Sequence, residues 1–345
     1  MLEINTLTLT DPIYKEKPKY NFIERFIISL LNDKRDLPFI SLSAIIFFTT
    51  VPFAVYLFLP GKFHWWLVPI YYIFNIAFLT GPFILMLHNT SHRPLFKKKY
   101  KFLNHTIPWV MSPFFGETPE SYFAHHLGMH HAEGNMPEDH SSTMKYQRDS
   151  FIDFMKYYSD FMVFGVYELA KYLKIKKRNK IRKDFLLGEF TFWVFAIGLC
   201  FLNWKASVAV FILPVFITRF LMLAGNWGQH AFIDPQSPDN SFVNSTNCIN
   251  SRYNRQCWND GYHIVHHLKP AMHWTELPGE FMKNIPNYIK ESSIIFSDLD
   301  FFQVWFLLML KRYDTLANKM VNTGHMRSKE EAIAFLKMRT KRFES

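Results

Sequence analysis

Thiols are scarce in this chain: Cys200, Cys248 and Cys257 are its only three cysteines. Their number is odd and they have no ligand-type spacing, which excludes a disulfide framework and a thiolate metal site and leaves them reduced bystanders. No H-E-x-x-H zinc-protease motif, H-P-G-G haem-binding signature or dinucleotide-binding fingerprint occurs. The start, MLEINTLTLTDP, lacks a basic region followed by an apolar core, so it does not read as a cleaved secretory signal. A net charge of +10 invites a nucleic-acid partner. No zinc-finger spacing, basic helix or aromatic RNA-binding signature accompanies it, and nucleic acid is set aside. There is no internal repeat and no low-complexity segment.

Charge is missing from particular stretches. Residues 37–59 and 65–87 carry no charged side chain, and about 20 apolar residues suffice to cross a bilayer core. The second stretch opens on Trp65 and Trp66, a pair suited to the membrane interface. Residues 185–204 and 207–227 are interrupted only by Glu189 and Arg219. Ionisable groups at such depth face a bundle interior or find a partner, so both are expected away from lipid. The 49% hydrophobic content, ordinary in itself, is therefore concentrated into four spans, with Lys and Arg gathered between them.

These patterns predict an all-α integral membrane protein with four transmembrane helices and a cytosolic helical cap. Its parts are a cytosolic N-terminal segment (1–36), a membrane domain (37–280) and a cytosolic C-terminal helical region (281–345). In the first, Phe22, Phe26, Ile27 and Leu30 share a face and predict a short amphipathic helix on the membrane surface. Residues 107–115 contain two prolines and are too few to span, so a re-entrant or interfacial segment is expected. Residues 151–175 alternate aromatics and charges at helical spacing, and residues 294–310 are too short and too flanked by charge for a fifth span. Lys and Arg crowd the N-terminal segment and residues 93–184, whereas the turns at Lys62 and Lys205 carry one Lys each. The positive-inside rule then puts both termini in the cytosol, with the ends of spans two and four. That topology also accounts for the basic runs at 97–101 and 174–183.

Histidine is the residue in excess. His88 and His92 follow span two; His125, His126, His130 and His131 lie in the long polar region; Asn226 and His230 end span four; His263, His266, His267 and His273 come last. His88 with His92, His126 with His130, and Asn226 with His230 are spaced i, i+4, which places each pair on one helix face, and His263 with His266 is spaced i, i+3. One such pair is weak evidence. Four groups arriving at one membrane face point to a metal centre, since neutral imidazole is the commonest protein metal ligand. Nine histidines oversupply one zinc, so two metals fit the number better, and nitrogen ligands with open positions favour oxygen-activating iron.

H-N-T-S-H at 88–92, H-L-G-M-H-H at 126–131, N-W-G-Q-H at 226–230 and H-I-V-H-H at 263–267 resemble, in order and spacing, the histidine boxes of the membrane fatty acid desaturase and hydroxylase superfamily, to which stearoyl-CoA desaturase belongs. The resemblance covers roughly residues 37–280. It implies a di-iron centre that uses oxygen and external electrons to attack an unactivated acyl carbon. By similarity His88, His92, His126, His130, His131, His230, His263, His266 and His267 are ligands of two iron ions, with Asn226 a tenth, directly or through water. His125 and His273 lie outside the pattern and are expected to support the ligands or the fold. Among the acids, Asp260, Glu133, Glu138, Asp139 and Asp234 are near enough in sequence to accept a hydrogen bond from a ligating imidazole. The resemblance implies an acyl substrate, a bilayer and a separate donor of cytochrome b5 or ferredoxin type. The three residues between His126 and the following pair occur in alkane hydroxylases, whereas N-D-G-Y-H-I-V-H-H-L-K-P is more similar to desaturases. Desaturation is the expected reaction, with hydroxylation as the alternative and a non-catalytic metal-binding or transport protein as a distant one.

Overall fold

The computed structural model describes residues 2–343; Met1, Glu344 and Ser345, at the ends of the terminal segments, lie outside the described residues. The chain is mostly helical and forms two compact units. One comprises Tyr14–Gly128 and Ala170–Phe220, the other Met1–Ile13, Met129–Leu169 and Leu221–Ser345. Among the described residues the strands are two short parallel pairs, β1 (Leu2–Glu3) with β4 (Val321–Asn322) and β2 (Asn247–Ile249) with β3 (Ile295–Ser297), a small departure from an all-α chain.

In the first unit α1 (Phe22–Leu30) begins at a capping box, with Asn21 Oδ1 accepting from the Glu24 amide and Glu24 Oε2 from that of Asn21. Phe22, Ile23 and Phe26 on it are exposed. Among the described residues, three helical stretches are long and apolar enough to cross a membrane. The first two are α2 (Lys34–Phe58) and α3 (Leu67–His92). The aromatic and charged residues 151–175 then form one helix, α4 (Phe151–Ile175). The third apolar stretch follows it as α5 (Asn179–Gln229), which runs on into the second unit. Proline shapes all three apolar stretches. Pro52 has no amide hydrogen and its ring collides with the carbonyl four residues back, and α2 breaks at Thr49. Pro82 follows the wide π-turns Ile73–Thr80, and Pro214 follows Val208–Ile212, where i→i+5 bonding leaves room for the ring.

The 51 residues of α5 would measure about 77 Å if straight, more than twice a bilayer core of about 30 Å. They are not straight. Asn203 has φ −157° and ψ 94°, Ser207 Oγ donates to the Ala196 carbonyl at 2.6 Å, and the Phe195 and Phe211 rings lie 5.4 Å apart. Residues 16 apart in a straight helix are about 24 Å apart, so this stretch is a hairpin of two antiparallel legs. Phe201, 89% exposed, and other apolar side chains on these helices have no protein cover, as expected of a surface that meets lipid.

Glu189 and Arg219 find each other across the hairpin, at 3.4 Å and largely buried. Glu189 also accepts from Thr118 Oγ1 (2.5 Å) and Trp193 Nε1 (3.2 Å). The approach of Thr118 requires glycine at 188, where a Cβ would lie 1.9 Å from the Pro119 carbonyl oxygen. A second carboxyl, Glu117, is buried beside them and accepts from Ser121 Oγ at 3.0 Å. Burial pushes it up to about 7 from an ordinary 4.5, against the pull of Arg219 and Ser121. The unfolded chain therefore releases this proton near pH 4.5 and the folded chain only near 7. The stability present below pH 4.5 is lost as pH rises through 7, by an amount on the order of 3 kcal/mol. Glu117→Gln removes that loss. In detergent its melting temperature should match wild type at pH 5 and exceed it at pH 8; an equal or lower value at pH 8 would refute the assignment.

In the second unit the core gathers Ile249, Tyr262, Ile264, Val265, Phe281, Tyr288, Ile295 and Val321. The helix α6 (His263–Leu268) is set by this core. Ile264 and Val265 are buried in it, each contributing roughly 1.5–3 kcal/mol, while His263 and His267 share another face. Its start is pinned to β2: the Ile264 amide donates to Asn247 Oδ1, and the Cys248 amide to the Gly261 carbonyl at 2.7 Å. A Cβ at Gly261 would lie 2.0 Å from the Cys248 carbonyl oxygen, so no other residue fits here without a backbone shift. The first part of the N-terminal segment, as far as Ile13, belongs to this unit, Tyr262 donating to Asp11 Oδ2 at 2.6 Å. Residues 294–310 divide into β3 and a helix, α7 (Phe301–Met309).

Candidate metal centre

Four histidines of the second unit, His130, His230, His263 and His267, bring one ring nitrogen each within 4.8 Å of all the others. His263 Nε2 lies 3.1 Å from His230 Nε2 and 3.0 Å from His267 Nε2, and the His130 ring centroid is 5.3 Å from those of His230 and His267. A metal–imidazole bond of about 2.0–2.1 Å places neighbouring ligand nitrogens about 3.0 Å apart and opposed ones about 4.2 Å apart. The spacing is therefore that of one coordination sphere.

The outer nitrogens explain why the inner ones face inward. His130 Nδ1 donates to Asp139 Oδ2 at 2.7 Å, and Asp139 is held in turn by the Asn135 amide and by the Ser141 amide and hydroxyl. His230 Nδ1 donates to the Asn244 carbonyl and side-chain oxygens, both at 3.0 Å. Each bond fixes the tautomer that carries hydrogen on Nδ1 and a lone pair on Nε2, the form in which an imidazole can ligate a metal. Burial, followed by the neighbouring His130, lowers His230 to about 4. Burial and the surrounding imidazoles hold His267 well below the ordinary histidine range. Both rings are neutral at pH 7, the form a metal requires.

In the first unit His88, His92 and His126 form a second cluster. Their ring nitrogens are also within 4.8 Å of one another, and His92 Nε2 lies 3.0 Å from His126 Nε2. The Tyr122 ring packs 5.2 Å from that of His126. In the second unit His131 Nε2 is 2.8 Å from His266 Nε2. The i, i+4 rule holds for His88 and His92 but not for His126 and His130, which enter different clusters. The chain there makes a wide π-turn, His126–His130, so helical spacing does not describe it. Likewise His263 joins His267, four residues on, while His266 meets His131.

Asn226 donates its amide to the Ser141 carbonyl (3.1 Å) and the Tyr157 hydroxyl (2.9 Å), which leaves Oδ1 as its available lone-pair donor. His125 is half-buried and belongs to neither cluster. His273 Nδ1 is 2.7 Å from Thr275 Oγ1, and it too stands outside them. Asp260 accepts from the Tyr253 hydroxyl, Asp234 pairs with Arg339, Glu133 is half-buried and Glu138 exposed. Asn244, 14 residues beyond the histidine it orients, has no sequence signal that would have found it.

The fatty acid desaturase family model matches residues 63–292, two thirds of the chain, and all four histidine boxes lie inside that match. The chain belongs to the fatty acid desaturase family. Comparison with curated proteins finds no match, and neither does comparison with solved structures. Family membership makes it an oxidoreductase of fatty acyl chains that works in a lipid environment, in a family that is typically iron-dependent. The donor set fits that metal: four imidazoles with their ring nitrogens grouped closely enough to share one ion, two of them, His130 and His230, hydrogen-bonded from behind.

Proposed function

We propose that this desaturase-family chain introduces a double bond into a fatty acyl chain, as an acyl lipid or acyl thioester, at a centre of two irons. His130, His230, His263 and His267 would hold one iron. By similarity to the family the other box histidines, His88, His92, His126, His131 and His266, would complete the iron ligands, with Asn226 Oδ1 as a further one, directly or through water. The observation that carries the reading is the four-imidazole cluster, whose ring nitrogens lie within 4.8 Å of one another and of which His130 and His230 are oriented by hydrogen bonds at Nδ1. When bound, iron supplies the capacity to reduce dioxygen and remove hydrogen from an unactivated carbon. Overall, one acyl CH2–CH2 unit, O2, two electrons and two protons give CH=CH and two waters. Asp139 and Asn244 hold the imidazoles in the required tautomer, and burial of the cluster keeps water from the reacting carbon.

The two legs of α5 would each cross the membrane, giving four spans with α2 and α3. The weight of Lys and Arg favours a cytosolic centre and cytosolic termini. Electrons would come from a cytochrome b5 or ferredoxin-type donor. Three residues between His126 and His130 favour a second reading, hydroxylation, on the same ligands. Expression in a host lacking the activity, followed by mass spectrometry of its lipids, separates the two. A new double bond is expected, and a new hydroxyl group would replace this reading with the second. One tight zinc per chain, with no iron after anaerobic reconstitution, would sink both.

A further inference from the structure

Arg148 is the one arginine among the largest fully buried side chains, and its guanidinium spends its donors on backbone carbonyls. Its Nε donates to Ala231 (3.0 Å), Nη1 is shared among Thr143, Met144 and Tyr146 (3.3–3.4 Å), and Nη2 reaches Arg339 (3.1 Å) and Lys341 (2.5 Å). The acceptors come from three separate pieces of the second unit. A guanidinium presents its donors in a fixed planar fork, so it holds such pieces in one arrangement that a flexible ammonium cannot copy.

One of those pieces carries a histidine of the four-imidazole cluster. Ala231 follows His230 directly, and Trp227, one turn earlier, donates Nε1 to the Arg148 carbonyl at 2.9 Å. Thr143, whose carbonyl accepts from Arg148, gives its hydroxyl to the His230 carbonyl at 2.7 Å. The Thr143 amide donates to Asn135 Oδ1, and Asn135 donates its own amide to Asp139, the partner of His130. The C-terminal segment closes the far side: the Arg148 amide donates to Thr340, the Phe343 amide to Met144 and the Ile233 amide to Arg339. That segment lies beyond the family match, which ends at residue 292.

We infer that Arg148 is a positioning residue for the metal centre, clamping the C-terminal segment 339–343 against the backbone that follows His230 and the Trp227 side chain that precedes it, and so setting that imidazole and, through Thr143 and Asn135, His130. This role rests on the di-iron reading and gives the C-terminal segment the support of one iron, the one in the four-imidazole cluster.

The test uses the full-length protein in detergent, loaded with iron, and follows transfer of each iron to a ferrous chelator. In Arg148→Met one of the two irons should leave at least about tenfold faster than in wild type, the scale on which residues behind metal ligands act, while the other keeps its rate. Thr143→Val should move the same iron in the same direction, and Thr143→Ser, which keeps the hydroxyl, should restore the wild-type rate. Unchanged release from folded Arg148→Met, or equal acceleration of both irons, overturns the assignment. Should Arg148→Met fail to accumulate, the Thr143 pair decides, and equal rates in Val and Ser variants count against the clamp. A wild-type chain that binds no iron would defeat the di-iron reading instead. The clamp is then still read by hydrogen exchange of the metal-free chain, in which Thr143→Val must expose the amides of residues 227–233 more than Thr143→Ser does.

Discussion

His267→Ala should leave the chain with one iron in place of two and reduce product formation to below about a hundredth of wild type. The His267 ring faces His130, His230 and His263, with its Nε2 3.0 Å from that of His263, so alanine removes one of the four imidazoles of the proposed site. Loss of a group merely behind a ligand costs about 10–100-fold in metal affinity or activity, and loss of the ligand itself should cost more. The protein should still fold, because the anchors of α6 are Ile264, Val265 and the bond from the Ile264 amide to Asn247, none of which involves the imidazole. Iron stoichiometry, product analysis and a melting curve measured together check this. Two irons with wild-type turnover would remove His267 from the centre.

Asp139→Asn should lower iron affinity by about 10–100-fold while keeping every ligand. The carboxylate is buried and accepts from His130 Nδ1, two backbone amides and the Ser141 hydroxyl. An asparagine has one oxygen where those donors need two. Its NH2 must then face an N–H of His130 and Asn135 or the donors of Ser141, leaving buried polar groups unpaired at about 1–3 kcal/mol. With the NH2 toward His130, the imidazole would be driven to the other tautomer, whose Nε2 carries hydrogen and cannot bind metal. Titration with ferrous iron under anaerobic conditions measures the loss. An affinity equal to wild type would show that this carboxylate does not tune the ligand.

The histidines themselves announced clusters that could hold a metal, because nine imidazoles in four boxes are more than packing requires, and the uncharged stretches announced helices suited to a bilayer. Both are consequences of local composition, which a sequence displays directly. The partition of the histidines was not legible. Helical spacing paired His126 with His130, but the π-turn His126–His130 sends them to different clusters, and no residue in H-L-G-M-H-H signals that turn. Asn244 and Arg148 were also invisible, since their roles depend on backbone carbonyls and on segments far apart in the chain.

The sequence by itself determined the histidine clusters, the family and the helices long enough to cross a membrane, through side-chain chemistry and uninterrupted apolar length. Tertiary structure alone decided which imidazoles gather in one cluster, which carboxylate stands behind His130 and that residues 339–343 close over Arg148. Those depend on where separate segments meet, and hydrogen bonds to backbone carbonyls leave no mark on residue type.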